Sequence, residues 1–293
     1  MVTAWAPATS ANLGSGFDTF GVALDRPGDV VTVERAEETT IEMRGLGSEF
    51  IPEDPAKNTA GVVAAELDAP ARITIDKGVR PSSGLGSSAA SAAAAAVALD
   101  DLYDLGLDDE TLVRAAAEGE AVVSGDAHAD NVAPSILGGF TIVREDGVFS
   151  VDTDLALVAC LPDRVGSTRE ARDVVPQETT LDELVHTVGS AATLVAGMYE
   201  NDPVRVGRGM DERVVTPARA ALIDGYDAAR EAALDAGATG VTVSGAGPSV
   251  LAVCYPGRRR DIAAALTSGF DAEGIDARAF QTRVGDGAYI LDR

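Results

Sequence analysis

Apolar and polar residues alternate from Val30 to Arg35, the period of a strand with one face open to water. Asn58–Leu67 carries helical spacing, and Arg72–Ile75 reads as a strand. The stretch from Ala89 to Leu99 is nearly all alanine and predicts a helix. Asp108 or Asp109 can cap a further helix through Leu112, Ala115, Ala116 and Val122. Gly125–Pro134 reads as a polar loop, and Gly139–Val143 as a strand ahead of a turn at Asp146-Gly147. The apolar run Leu155–Leu161 predicts a buried strand ended by Pro162. Thr180–Tyr199 and Arg219–Ala236 read as two long helices. Strands Gly240–Val243 and Ser249–Tyr255 flank a glycine-rich turn, Ser244-Gly-Ala-Gly-Pro248. A helix from Asp261 and a strand near Ala277–Gln281 close the chain. No repeat or low-complexity segment interrupts this order. The strand–helix set restarts near residue 152, which divides the chain into 1–152 and 153–293.

Composition sharpens the picture. Of 293 residues, 46% are hydrophobic but only 4% aromatic, so the core must be built from small side chains. The net charge is −24, with 47 acidic residues against 23 basic ones. Lys57 and Lys77 are the only lysines. Loss of lysine with excess carboxylate implies adaptation to concentrated salt, where the Debye length falls to about 3 Å and repulsion is screened. No basic stripe exists to meet nucleic acid, since Arg258-Arg259-Arg260 is too small a cluster for that role. Cys160 and Cys254 sit in apolar strand-like runs and read as buried thiols without metal spacing. No basic-then-apolar leader precedes the first strand, and residues 89–99 are too short to span a bilayer. A soluble, cytoplasmic protein is expected.

Four polar segments carry candidate chemistry. They are Pro7–Asp18, Pro81–Ala90, Glu120 with Gly125–Asn131, and Ser244–Ser249. The second, Pro-Ser-Ser-Gly-Leu-Gly-Ser-Ser-Ala-Ala, leads straight into the alanine helix. A helix N-terminus offers unpaired N–H groups and partial positive charge to an anion. Gly84 and Gly86 would let backbone come close to that anion, and Ser87 and Ser88 add hydroxyls. The segment is not a Walker loop, because no Gly-Lys-Ser or Gly-Lys-Thr is present. It is not a dinucleotide fingerprint either: position 89 is alanine, and no acidic residue ends a second strand at the required distance.

Three motifs, in order, resemble the GHMP kinase superfamily of galactokinase, homoserine kinase, mevalonate kinase and phosphomevalonate kinase. They are Asn12-Leu-Gly-x-Gly-Phe-Asp18, Pro81-x-Ser-Gly-Leu-Gly-Ser-Ser-Ala89 and Ser244-Gly-x-Gly-Pro-Ser249. Ala6–Gly14, His128–Pro134 and Thr168–Arg172 resemble the homoserine kinase branch in particular. The resemblance implies an α+β, two-domain GHMP kinase fold. Its ATP-binding N-terminal domain (1–152) would resemble the second domain of ribosomal protein S5, and its C-terminal domain (153–293) would be ferredoxin-like. It further implies ATP and Mg2+ as cofactors and phosphorylation of the side-chain hydroxyl of L-homoserine, a step towards threonine. The alternatives are another small acceptor such as shikimate or mevalonate, or a catalytically silent ATP-binding relative.

Carried onto this chain, the resemblance implies that Pro81, Ser82, Ser83, Gly84, Leu85, Gly86, Ser87, Ser88 and Ala89 cradle the triphosphate. Ser88 and Glu120 would hold the metal, with Ser87 as a second hydroxyl candidate. Asn58 would lie towards the nucleoside. Asn12 and Asp18 would meet the substrate hydroxyl, and His128, Asp130, Asn131 and Thr168 would line the amino-acid pocket. Arg172 and Arg219 would clamp the carboxylate, and Gly245 and Gly247 would close the site from the second domain. Neither lysine sits where a base-activating role is implied; Asp18 and Asp130 are possible proton acceptors, and transfer without a dedicated base is the preferred alternative. Nucleic-acid and membrane partners are excluded, and a homodimer is compatible.

Overall fold

The computed structural model describes residues 1–124 and 128–293. Its strands are β1 (Val2–Ala11), β2 (Phe20–Arg35), β3 (Thr40–Gly45), β4 (Ala71–Lys77), β5 (Phe140–Arg144), β6 (Gly147–Val151), β7 (Ala156–Pro162), β8 (Gly240–Val243), β9 (Val250–Cys254), β10 (Ala277–Arg283) and β11 (Tyr289–Asp292). The helices are α1 (Thr59–Glu66), α2 (Ser87–Tyr103), α3 (Asp109–Ser124), α4 (Val132–Leu137), α5 (Thr168–Asp173), α6 (Leu181–Glu200), α7 (Pro203–Gly209), α8 (Val215–Ala220), α9 (Tyr226–Asp235) and α10 (Arg259–Ala272).

The first sheet runs β11-β1-β2-β4-β3, with a β5–β6 hairpin attached to β2. β2 is long enough to serve two partners: residues 20–22 pair with β5 and residues 30–35 with β4. β3 and β4 run parallel. Helix α2 lies across β1 and β2, with α1 and α3 beside it. Ala89–Ala96, Ala98 and Leu99 are all buried, so the helix is enclosed on every side. That is why it is apolar all round rather than amphipathic. Alanine lets its neighbours approach closely, and this explains a large core in a chain so poor in aromatics.

The second sheet runs β10-β7-β9-β8 and is antiparallel. Counted along the chain this is the order four-one-three-two, the ferredoxin-like arrangement that the resemblance implies. Every residue of β7 is buried. Leu157 and Ala159 face a core that includes Leu13, Phe20, Phe140, Leu194 and Met198. Ala156, Val158 and Cys160 face the opposite core, with Ala229 and Ala233 of α9 and Leu266 and Phe270 of α10. Burial on both faces makes the strand read as a continuous apolar run. The first of these cores contains residues from both sheets, and β11 returns to pair with β1, so the two layers are joined twice.

Several expectations change. Arg219–Ala236 is not one helix. It holds the end of α8 and all of α9, parted at Ala221–Gly225, where Gly225 adopts φ 78°. The Leu222 and Ile223 amides donate to Arg219 and Ala220 carbonyls and tighten the end of α8. The loop expected over 125–134 becomes helical at Val132, because Val132, Ala133 and Ile136 bury against the first core. Gly125–Ala127 lie outside the described residues. α10 starts at Arg259, two residues ahead of Asp261. α7, β1 and β11 have no counterpart in the sequence reading.

Candidate active site

The phosphate loop enters α2 through two left-handed glycines, Gly84 (φ 79°) and Gly86 (φ 61°). A Cβ on Gly84 would sit 2.6 Å from the Gly247 carbonyl oxygen, and one on Gly86 only 2.0 Å from Thr9 Oγ1. The glycines therefore admit neighbouring protein, and thereby tie the loop to the Ser244–Ser249 turn. Ser244 Oγ donates to the Gly84 carbonyl at 2.7 Å, and the Ser249 amide donates to Ser83 at 3.1 Å. Gly86 caps α2 with no side-chain hydrogen bond, so the first amides of the helix keep their exposed partial charge.

The two serines at the helix start part company. Ser88 Oγ donates to Glu120 Oε2 at 2.8 Å, and both side chains line the cavity. Ser87 Oγ instead donates to the Val79 carbonyl at 2.8 Å, away from Glu120, although the residue also lines the cavity. Leu85 is buried in the core shared by the two sheets, and Ala89 in the core of the first. Neither lines the cavity, contrary to expectation, because their positions on the loop and helix turn them inward.

Beneath the loop lies a buried ion pair that sequence reasoning missed. Lys77 Nζ donates to Asp29 Oδ2, to the Ser87 carbonyl at 2.6 Å and to Ser91 Oγ at 2.9 Å. Asp29 Oδ1 accepts from the Gly78 and Val79 amides at 3.0 Å each. All three ammonium protons of Lys77 are thus engaged, and the end of β4 is stitched to the first turn of α2. Burial depresses the Lys77 pKa, and Asp29 opposes that shift. Burial likewise raises Glu120 to about 7, against the opposing effects of its Ser88 hydrogen bond and Lys77.

One cavity of about 310 Å³ joins this loop to both ends of the proposed site. At one end Met43, Phe50, Ile75 and Pro81 supply apolar walls. Asn58 stands there too, but its amide is committed: Oδ1 caps α1 at Ala60 and Nδ2 donates to the Pro52 carbonyl. It shapes this end rather than reading what binds there.

At the other end, Asn12 Nδ2 donates to the Gly245 carbonyl at 3.0 Å, and its Oδ1 accepts the Asp18 amide at 3.0 Å. Arg172, on α5 one turn after Thr168, meets Asp18 through two bonds of 2.5 and 3.2 Å and lies 2.9 Å from His128 Nε2. Arg219 donates to the Ala171 and Gly245 carbonyls at 3.1 and 2.8 Å. Among the described residues its Nη2 makes no hydrogen bond. The two guanidiniums share the ring of Phe17, at 5.4 Å for Arg172 and 4.9 Å for Arg219. Phe17 is a fixed position of the Asn12–Asp18 motif to which the sequence reading assigns no role; its value lies in what the fold stacks on it. Asn131 Oδ1 accepts Thr9 Oγ1 at 2.9 Å. Asp130 is buried, and its pKa rises to about 6, first through burial and then through Asp18. Asn12, Asp18, His128, Asp130, Asn131, Thr168, Arg172, Arg219, Gly245 and Gly247 all line the same cavity.

Chemically the cavity offers an uncapped helix start beside a hydroxyl–carboxylate pair. Opposite stand two carboxylates and two guanidiniums. The Ser88–Glu120 oxygens are hard donors that suit a small divalent cation. Among the described residues no helix is long and apolar enough to cross a membrane.

Comparison with known proteins agrees with this arrangement. The family described as GHMP kinases N terminal domain matches residues 55–139, and the family described as GHMP kinases C terminal matches 194–272. The homoserine kinase of Halobacterium salinarum is 67% identical over 291 residues, covering 99% of this chain and 97% of its own. That of Halorubrum lacusprofundi is 66% identical over 292 residues, covering all of both chains. The crystal structure of homoserine kinase from Cytophaga hutchinsonii superposes with a TM-score of 0.90 at 35% identity, covering 99% of this chain and 97% of that one.

Proposed function

The chain belongs to the GHMP kinases, and from that premise we propose that it transfers the terminal phosphoryl group of ATP to the side-chain hydroxyl of L-homoserine. The observation that carries this reading is a single cavity with a phosphate-type helix start at its centre and an amino-acid recognition set at one end. Two guanidiniums suit a carboxylate, and Asp130 suits an ammonium. Shikimate and mevalonate carry a carboxylate but no ammonium, so Asp130 disfavours both. The nucleoside occupies the Met43–Asn58 end, and the triphosphate runs along Pro81–Ser88. Cation binding by Ser88 and Glu120 fits the donor set, and Mg2+ carried in with ATP would neutralise charge on the transferred group.

The chain's own residues mainly position. Asn12 holds the Asp18 amide and the Gly245 carbonyl, so one side chain ties the two domains at the acceptor. Asp18 is already engaged by Arg172, and all three Lys77 protons are taken by Asp29, the Ser87 carbonyl and Ser91; Lys57 is paired at the surface with Asp54. This supports transfer without a dedicated base, since a loose transition state asks little of the nucleophile and its proton can leave late. An incoming ammonium also favours the ionised form of Asp130, whose burial otherwise opposes charge. The product is O-phosphohomoserine, on the way to threonine, and the acidic surface suits a cytoplasm rich in salt.

The test is ADP release measured in molar KCl with homoserine, mevalonate, shikimate and galactose in parallel. Turnover with homoserine at least tenfold above the others is expected. Higher turnover with mevalonate or shikimate would overturn the acceptor assignment.

A further inference from the structure

Phe50 is the most exposed phenylalanine of the chain, at 81% against 55% for Phe149, the next. It nevertheless lines the cavity, at the end where Met43, Ile75 and Pro81 form the other apolar walls. A fixed turn holds it there. The Phe50 and Ile51 amides donate to the Gly47 and Ser48 carbonyls at 3.1 Å each and close the turn Ser48–Phe50. The Leu46 amide donates to the Lys77 carbonyl at 2.9 Å, which ties the turn to the end of β4. A Cβ on Gly47 would lie 2.9 Å from Pro81 Cδ, so the turn also rests against the start of the phosphate loop. An aromatic side chain is therefore kept open to solvent on the cavity rim, in a protein that buries or half-buries five of its other six phenylalanines.

The side-chain and backbone donors around it are spent. Asn58 Nδ2 binds the Pro52 carbonyl while its Oδ1 caps α1. The Met43 amide donates to Glu53 Oε1 at 3.0 Å, and the Lys57 amide to the Asp54 carbonyl at 2.9 Å. Lys57 Nζ pairs with Asp54 at 3.1 Å, and Pro52 has no N–H. Thr59 adds a hydroxyl to the wall, which both donates and accepts and so suits adenine and guanine alike. Backbone carbonyls can accept from the amino group of either purine.

Resting on the reading that the nucleoside occupies this end, we propose that Phe50 stacks on the base and that this stacking, rather than hydrogen-bond readout, selects the phosphoryl donor. Every base offers a π-face, and two fused rings offer more of it than one. Purines then bind well and alike. GTP serves beside ATP, whereas CTP and UTP serve poorly. Phe50 and the apolar walls grip the base, while Pro81–Ser88 grips the phosphates, so the two parts of the nucleotide are held by separable groups.

Calorimetric titration in molar KCl with Mg2+ tests this. ADP and GDP should bind the native chain within about tenfold of each other, and CDP more weakly than either by at least about tenfold. Phe50→Ala should weaken ADP and GDP together, roughly 5- to 150-fold, the range for loss of one base–aromatic stack. Tripolyphosphate, which has no base, should bind native and Phe50→Ala chains equally. Leu46→Ala, on the same turn but off the cavity wall, should keep native affinities. Phe50→Trp should retain ADP binding, and ADP should quench its fluorescence. The one native tryptophan, Trp5, packs against Tyr289 away from this cavity, so the native chain is the blank. KM for homoserine should be native in all three variants. ADP bound tighter than GDP by more than about tenfold would overturn the proposal, since directed hydrogen bonds would then read the base. So would undiminished ADP binding by Phe50→Ala, or a KM for homoserine that shifts with it. Tripolyphosphate that binds neither chain would instead overturn the reading of Pro81–Ser88 as the phosphate site.

Discussion

Replacing Phe17 by leucine isolates the role of the aromatic face beneath Arg172 and Arg219. Leucine keeps apolar bulk but removes the ring quadrupole that draws both cations to one plane. Each contact is worth about 0.5–1 kcal/mol where exposed and about 2 where desolvated. Arg172 is partly open and Arg219 buried, at 5.4 and 4.9 Å from the ring centre. A combined loss of about 2.5–3 kcal/mol converts to roughly a 70- to 160-fold rise in KM for homoserine. The two arginines also repel one another, as the lowering of the Arg219 pKa by Arg172 shows after burial. Without the ring they should spread and present a poorer fork to a carboxylate. The assay is kcat/KM for homoserine beside 3-aminopropan-1-ol, which keeps the hydroxyl and ammonium but has no carboxylate. Only the homoserine value should fall, KM for ATP should hold, and Phe17→Tyr should restore the native behaviour. Equal losses on both acceptors would refute the reasoning, because a general loosening of the Asn12–Asp18 turn would then explain the effect.

Glu120→Gln keeps the shape of the Ser88 contact but removes the charge; it should lower turnover by roughly 10²–10³ with little change in KM for ATP, and unchanged turnover at saturation would exclude the role. Lys77→Met strands Asp29 in the core and should cost about 3–5 kcal/mol in urea unfolding, part of it recovered by adding Asp29→Asn. Stability of the metal-free, nucleotide-free protein should fall as pH rises. Glu120 and Asp130 have folded pKa values raised to about 7 and about 6, so between pH 4 and 7 the folded chain holds protons that the unfolded chain has released. The Glu120 rise alone corresponds to roughly 3 kcal/mol; a melting temperature that climbs from pH 5 to pH 8 in molar KCl would contradict this, and Asp130→Asn should flatten part of the slope. Finally, activity and melting temperature should both increase from dilute buffer to molar KCl as the −24 charge is screened, and a flat salt profile would remove the adaptation to salt.

What could be read from the sequence was set by how local its cause is. The phosphate loop is written in ten consecutive residues, because a helix start and its glycines are near neighbours in the chain. The helix break at Ala221–Gly225 was overlooked although Asp224-Gly225 is a turn signal. It lies in a run of helix formers, and Gly225 at φ 78° together with the packing of Ile223 and Tyr226 into the second core places the bend. Ser87 and Ser88 are indistinguishable as letters, yet the helix turn aims one at the Val79 carbonyl and the other at Glu120. Asp29 was not singled out, and Lys77 and Phe17 were given no role, for the same reason. Each gains its meaning from partners 14 to 202 positions away: Ser91 for Lys77, and Arg172 and Arg219 for Phe17.

The supporting residues share one physical task. Lys77 holds the start of α2 from beneath, Phe17 holds the two guanidiniums from beneath, and Asn12 links the acceptor loop to the Gly245 turn. None needs to touch the transferred phosphoryl group. Phosphoryl transfer gains most from groups already fixed where charge develops, so support buried behind the cavity wall counts as much as the wall itself. Lys77→Met with Asp29→Asn should fold, yet should retain less turnover than its recovered stability implies, because methionine cannot replace the Lys77 hydrogen bonds to the Ser87 carbonyl and Ser91 that fix the first turn of α2. Full turnover in that double variant would mean that the ion pair stabilises the fold without positioning the loop.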